Sequence, residues 1–204
     1  MGEPRFVSVA DMTAVLALVA QAESAHADLV PDIDIDSARL ARELAHSERH
    51  RIGILPAAPC DAPAVATSVG LALGTITEAM VVVLLPEQPS AKDAAAAVPG
   101  RRSARAAWLG PSLVAIAPSA VAPVGEKERG IAALVDFIEM RADSWRHVLV
   151  DLTGCERPGE LLGILSLLDG IIVVGRAGRV TDTELARATR LVPQHLRVGV
   201  LLHE

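Results

Sequence analysis

From Arg51 onward the chain repeats one pattern: a short apolar run of four to six residues, then a longer segment with helical spacing. The runs do not alternate apolar with polar residues, so they are not strands with one wet face. Continuous apolar runs of this length are what strands buried on both faces require. They fall at Ile52–Leu55, Met80–Leu85, Leu113–Ala117, Val148–Asp151, Ile171–Gly175 and Val198–Leu202. Helical spacing is read at Ala64–Gly74 (extending to Thr77), Lys127–Ala142, Pro158–Leu168 and Thr181–Val192. Pro158 suits a first helical turn, and Thr181 with Glu184 three residues on forms a capping box. Repeated strand–helix–strand units predict an α/β fold, a mostly parallel sheet with helices on both faces.

Before Arg51 the texture is different. Val9–Ala25 is alanine-rich and reads as a helix, and the aspartates of Pro31–Asp36 can cap a second helix over Ser37–Ser47. The expected organisation is one domain over 1–204, with a helical extension at 1–50 and an α/β core at 51–204. Glu87–Trp108, rich in Ala, Pro, Ser and Arg, reads as a mobile loop.

Composition narrows the function. Nineteen basic against 25 acidic side chains leave a formal charge of −6, which argues against a general nucleic-acid binder or a polybasic membrane anchor. The longest apolar stretch, Leu161–Gly175, falls short of the ~20 residues a membrane span needs and contains Asp169. Direct membrane insertion is therefore not expected. Two cysteines, Cys60 and Cys155, are too few for a disulfide scaffold, and no signal peptide is read, so the expected setting is cytoplasmic. The chain has no tyrosine, which removes phosphotyrosine acceptors. Its only lysines are Lys92 and Lys127, so any chemistry that needs a lysine has two candidates.

In a sheet of this kind a ligand site lies at the carboxyl ends of the strands. The first such end carries Ala57, Ala58, Pro59, Cys60, Asp61, Ala62, Pro63 and Ala64, and the helix after it contains Gly70, Leu71, Ala72 and Leu73. Here the sequence resembles the MinD/ParA-type deviant P-loop ATPases, and most closely the bacterial tyrosine kinases (BY-kinases) of capsule and exopolysaccharide systems. The resemblance implies a P-loop NTPase-like fold with a degenerate nucleotide site. Cys60 and Ala62 stand where that family has loop glycines, with Asp61 between them. Pro63 stands at the lysine and Ala64 at the magnesium-binding hydroxyl. Phosphate cradling needs close backbone approach, successive N–H donors, a cation and a hydroxyl on Mg²⁺. Side chains at the glycine positions crowd such a loop, and proline removes a donor.

The resemblance continues downstream. Val81–Pro89 matches the family's second acidic motif, with Pro86 and Gln88 at its two aspartate positions and Glu87 between them. Val148–Asp151 matches a Walker-B strand with its terminal aspartate, and the segment from Leu165 to Thr181 follows the family pattern nearly in register. Asp36, Arg39 and Arg42 match the family's Glu-x-x-Arg-x-x-Arg ring-contact motif, with Asp for Glu. A second match, Glu184, Arg187 and Arg190, lies in the wrong helix.

No catalytic residue, metal or cofactor is expected. The implied function is a pseudokinase-like partner of the cytoplasmic part of an inner-membrane polysaccharide co-polymerase, able to form a homo-oligomer. The alternative is a MinD/ParA-type positioning or regulatory protein without ATPase activity. Three features have simpler accounts. His46 and His50 beside Glu43 read as an exposed helix end rather than a metal site. Cys60 and Cys155 read as small apolar packing, although the strands before them are expected to be neighbours. Ser112 and Ser166 lack a nucleophile elbow.

Overall fold

A computed structural model describes residues 7–9, 33–60, 62–84, 103–110, 112–119, 145–155 and 158–203. The strands are β1 (Val7–Val9), β2 (Arg51–Pro56), β3 (Val81–Leu84), β4 (Ser103–Gly110), β5 (Leu113–Ser119), β6 (His147–Asp151), β7 (Gly170–Arg176) and β8 (Arg197–His203). The helices are α1 (Ile35–Ala45), α2 (Ala62–Thr77), α3 (Pro158–Leu165) and α4 (Asp182–Leu191). The eight strands form one sheet in the order β1-β4-β5-β3-β6-β2-β7-β8. From β5 to β8 every pairing is parallel, as the repeated units require.

The sheet explains why its strands read as unbroken apolar runs. Val82, Leu84, Val148, Val150, Leu55, Ile171 and Val173 point to one face, where they pack on α3 and α4. Ile52, Ile54, Val81, Val83, Leu149, Ile172 and Val174 point to the other, against α1 and α2. Alternation is present in space but hidden in the sequence, because both faces are dry. At the edge, β8 buries only Leu201 and leaves Val200 and Leu202 exposed.

Two expectations need correction. Residues 103–108 are not part of a loop: they belong to β4, which pairs antiparallel with β5 from Ser103↔Ser119 to Gly110↔Leu113. Ser, Ala and Arg have weak strand preference, so β4 owes its form to its partner strand rather than to its own residues. Val9 belongs to β1, antiparallel to β4, and not to a helix. The rest of the Val9–Ala25 helix, the Lys127–Ala142 helix and 87–102 lie outside the described residues.

Helix α2 lies unusually close to the sheet. A Cβ at Gly70 would stand 2.8 Å from Leu113 Cδ1, and one at Gly74 would stand 2.9 Å from Ser112 Cβ and 3.1 Å from its carbonyl oxygen. Helix propensity alone makes Gly74→Ala stabilising by about 1 kcal/mol. The contact with the Ser112 backbone reverses that sign, because the backbone cannot swing aside as a side-chain tip can. We expect Gly74→Ala to lower stability by about 1–3 kcal/mol, read as a lower urea midpoint at constant slope. A raised midpoint would show that α2 can lift off the sheet without penalty.

Candidate functional site

The carboxyl ends of β2 and β6 meet side by side. Ile54 pairs with Asp151, and the N–H of Leu152 donates to the Ile54 carbonyl at 2.9 Å. Beyond β2 the Ala57 N–H still donates to Val174 on β7 at 2.8 Å, and the chain then turns into α2, which begins at Ala62. Two of the expected groups, the β2–α2 turn and the β6 aspartate, are therefore brought together.

The turn is built of small and stiff residues. Cys60 and Pro63 are half-buried, Ala62 is buried and Ala64 is exposed. Pro63 is the second residue of the helix, where its fixed φ costs nothing and its missing N–H is one of the unpaired first-turn donors. That missing donor is one of the few first-turn N–H groups an anion at this helix end could use. Thr67 spends its hydroxyl on the Pro63 carbonyl at 2.8 Å. Anion-cradling nests alternate right- and left-handed backbone. Among the described residues, positive φ occurs only at Glu78, Gly154 and Gly178, so none of 57–60 or 62–64 adopts it. Asp61, Pro86 and Gln88 lie outside the described residues.

Asp151 ends β6 with no solvent exposure. Its Oδ1 accepts from the Thr153 N–H at 2.9 Å and the Thr153 hydroxyl at 2.7 Å. That pair of hydrogen bonds to the next turn, which continues through Gly154 at φ 84°, gives the carboxylate a local structural task. Cys155 closes the turn by donating to the Leu152 carbonyl and is buried against the α3 face, whereas Cys60 packs toward the α1–α2 face. The two cysteines thus serve opposite sides of the sheet. Among the described residues no group of three His, Cys, Asp or Glu side chains could hold a metal ion.

The fold built on this sheet is shared with several solved structures. The chain is similar to the VpsO kinase domain at 10% identity, covering 95% of this chain and 99% of that one with a TM-score of 0.58. It is similar to the BceF tyrosine kinase domain at 14% identity, covering 92% and 88%, with a TM-score of 0.54. The kinase domain of the Escherichia coli tyrosine kinase ETK matches at 13% identity over 89% and 84%, with a TM-score of 0.52. The fold is that of a bacterial tyrosine kinase domain. No family model matches the sequence, and no curated protein matches it.

On this fold, α1 carries the second set of expected residues. Asp34 caps the helix, accepting from the Ser37 N–H at 2.8 Å, and its other oxygen accepts from the Ser68 hydroxyl of α2 at 2.8 Å. Partial burial works against the Asp34 carboxylate, but the bonds from Ser37 and Ser68 outweigh it and hold the group below its ordinary value. With Ser37, Ala41 and Leu44 facing inward, Asp36, Arg39 and Arg42 are left exposed. Arg39 reaches Glu43 at 3.7 Å, with side chains 80% and 65% exposed. Ile35, 87% exposed, adjoins this face and was not singled out from the sequence.

The competing match in α4 is built differently. Glu184 is the partner of Thr181 in a full capping box, accepting from the Thr181 N–H at 2.9 Å and its hydroxyl at 2.8 Å. Those bonds hold its carboxyl below the ordinary range. Its acid is therefore committed to its own helix, whereas in α1 the cap is Asp34 and Asp36 is left over.

Proposed function

We propose that this chain is a catalytically inactive relative of the bacterial tyrosine kinases. It acts as a cytoplasmic docking partner of an inner-membrane polysaccharide co-polymerase in exopolysaccharide or capsule biosynthesis and export. The observation that supports this reading best is Pro63 in the first turn of α2, within a turn whose described residues have no positive φ. Holding a nucleotide there needs backbone donors, a cation and a hydroxyl, and this turn offers Pro63 and Ala64 instead. Cys60, Asp61, Ala62, Pro63 and Ala64, with Pro86, Gln88 and Asp151, are on this reading a degenerate nucleotide site. Asp36, Arg39 and Arg42 are its contact surface, and the whole chain serves as one P-loop-like domain.

Among the described residues no helix is long and apolar enough to cross a membrane, so recruitment through a partner fits better than insertion. Sedimentation with membranes that contain or lack the co-polymerase, each with and without Mg-ATP, tests this. Binding should require the co-polymerase and be the same with and without nucleotide. Binding that depends on ATP instead favours the MinD/ParA-type alternative, and equal binding to both membranes removes the docking role.

A further inference from the structure

The amino ends of the same two strands hold a feature that the kinase-like reading leaves unused. Register Arg51↔Val148 makes His50 and His147 cross-strand neighbours, and their rings lie 5.5 Å apart. His147 is fully buried, and neither ring nitrogen has a hydrogen-bond partner among the described residues. Trp145, two residues earlier, buries its indole N–H in the same condition. A buried imidazole without a partner is costly and calls for a reason. His50 is better served: its Nδ1–H donates to the Arg146 carbonyl at 3.1 Å, and its backbone carbonyl accepts from the Val148 N–H at 2.7 Å. These two bonds join the turn after α1 to the start of β6.

We propose that the His50–His147 pair is a proton-sensitive junction: protonating His147 opens the amino ends of β2 and β6 and loosens α1, while the carboxyl ends stay paired. The ionisable groups acting on His147 are His50, on the turn after α1, and Arg146, on the lead-in to β6, and both act as positive neighbours. From the same turn the Arg49 backbone acts the other way, favouring the charged ring, but it is outweighed by burial and the two positive neighbours. On β3 the register partner is the apolar Val81. The nearby carboxylate of Asp169 is committed to the N–H groups of His50 and Arg51, at 3.0 and 2.8 Å. Glu48 and Glu78 are exposed. A proton on His147 thus adds a cation to a buried site already facing cations, and like charges opposite one another on paired strands repel.

Burial first, then His50 and Arg146, push His147 down from 6.5 to about 4. The imidazole is neutral in the closed form above that value. Below pH 6.5 the opened form takes up a proton that the closed form refuses, so the closed form loses ground between pH 6.5 and 4. Between pH 7 and 5 the opening equilibrium rises roughly 20-fold from this one site. Nothing is gained by raising the pH above 7.

Amide exchange of the full chain at pH 7 and pH 5 tests this with two reporters. The Val148 N–H, bonded to His50, should lose protection roughly 20-fold, while the Leu152 N–H, bonded to Ile54, keeps its own. In His147→Phe the Val148 protection should be the same at both pH values. Should that variant fail to fold, the wild-type His147 ring signal is titrated directly. A midpoint between 4 and 5 supports the junction and one near 6.5 overturns it. Equal loss at Val148 and Leu152 means opening of the whole sheet, and the proposal then fails.

Discussion

Titrating Mg-ATP or Mg-ADP into this chain at millimolar concentration should give no saturable heat. A nucleotide's phosphates are held by charge-assisted hydrogen bonds, each worth about 1.5–3 kcal/mol, from backbone donors and a lysine, with Mg²⁺ fixed by a hydroxyl. Here Pro63 has no N–H, Ala64 has no hydroxyl, and neither Lys92 nor Lys127 lies in the β2–α2 turn. Losing two such contacts alone removes about 3–6 kcal/mol, a factor of roughly 10² to 10⁴ in affinity. That moves a micromolar site to roughly 0.1–10 mM, and the absence of the lysine from the turn weakens it further, beyond saturation at millimolar ligand. Restoring one element, as in Pro63→Lys, leaves the hydroxyl and the glycine conformations missing, so we expect it to bind no better than wild type. Micromolar affinity in the unaltered chain would falsify the inactive-kinase reading, because the turn would then be holding phosphates by means its residues do not display.

The parts of this molecule that were legible in the sequence are those set by burial on both faces. The six parallel strands stand where continuous apolar runs place them, within one or two residues, because no other arrangement hides such runs. Thr181 and Glu184 form the expected capping box because that motif is purely local. Helix α3 ends at Leu165, short of Leu168, since Leu167 and Leu168 bond back to Ile164 and Leu165 in a turn. What was not legible depends on distant partners. β4 is a strand only because β5 is beside it, and its alanines and its one arginine carry no sign of that. In the sequence Asp169 serves only to argue against a membrane span, whereas in the fold its carboxylate caps the start of β2. The candidate site divides in the same way. Asp151 beside the β2–α2 turn follows from the strand pattern. The bonds from Thr153 that engage Asp151 are local, two residues along the chain, whereas the burial of His147 follows from tertiary packing.

If α1 is the contact surface proposed above, reversing two charges on it, Arg39→Glu with Arg42→Glu, should leave the monomer folded and abolish assembly or binding to the proposed membrane partner. Both residues are exposed, and Arg39 has only an exposed i, i+4 contact with Glu43, so their loss should change stability by less than about 0.5 kcal/mol. Helix α1 keeps its cap, because Asp34 and its bonds to Ser37 and Ser68 are untouched. In a desolvated interface the same groups count for more. Arginine's planar fork pairs two-pronged with carboxylates, and removing one partner of a buried pair costs about 2–5 kcal/mol. Two reversals therefore weaken association by at least roughly 10³-fold, enough to dissolve a micromolar contact. Ile35, 87% exposed beside these charges, gives a control of the opposite chemistry. If the face is an interface, Ile35→Asp should also weaken assembly, without touching either arginine. The matching reversal on α4, Arg187→Glu with Arg190→Glu, should change nothing, since Glu184 is held by its own helix. Light scattering of wild type and the α1 double variant, with and without the co-polymerase's cytoplasmic segment, reads the result as mass. Identical masses in all four samples would put Arg39 and Arg42 in the same class as Arg187 and Arg190, a solvated helix face, and α1 would cease to be a contact surface.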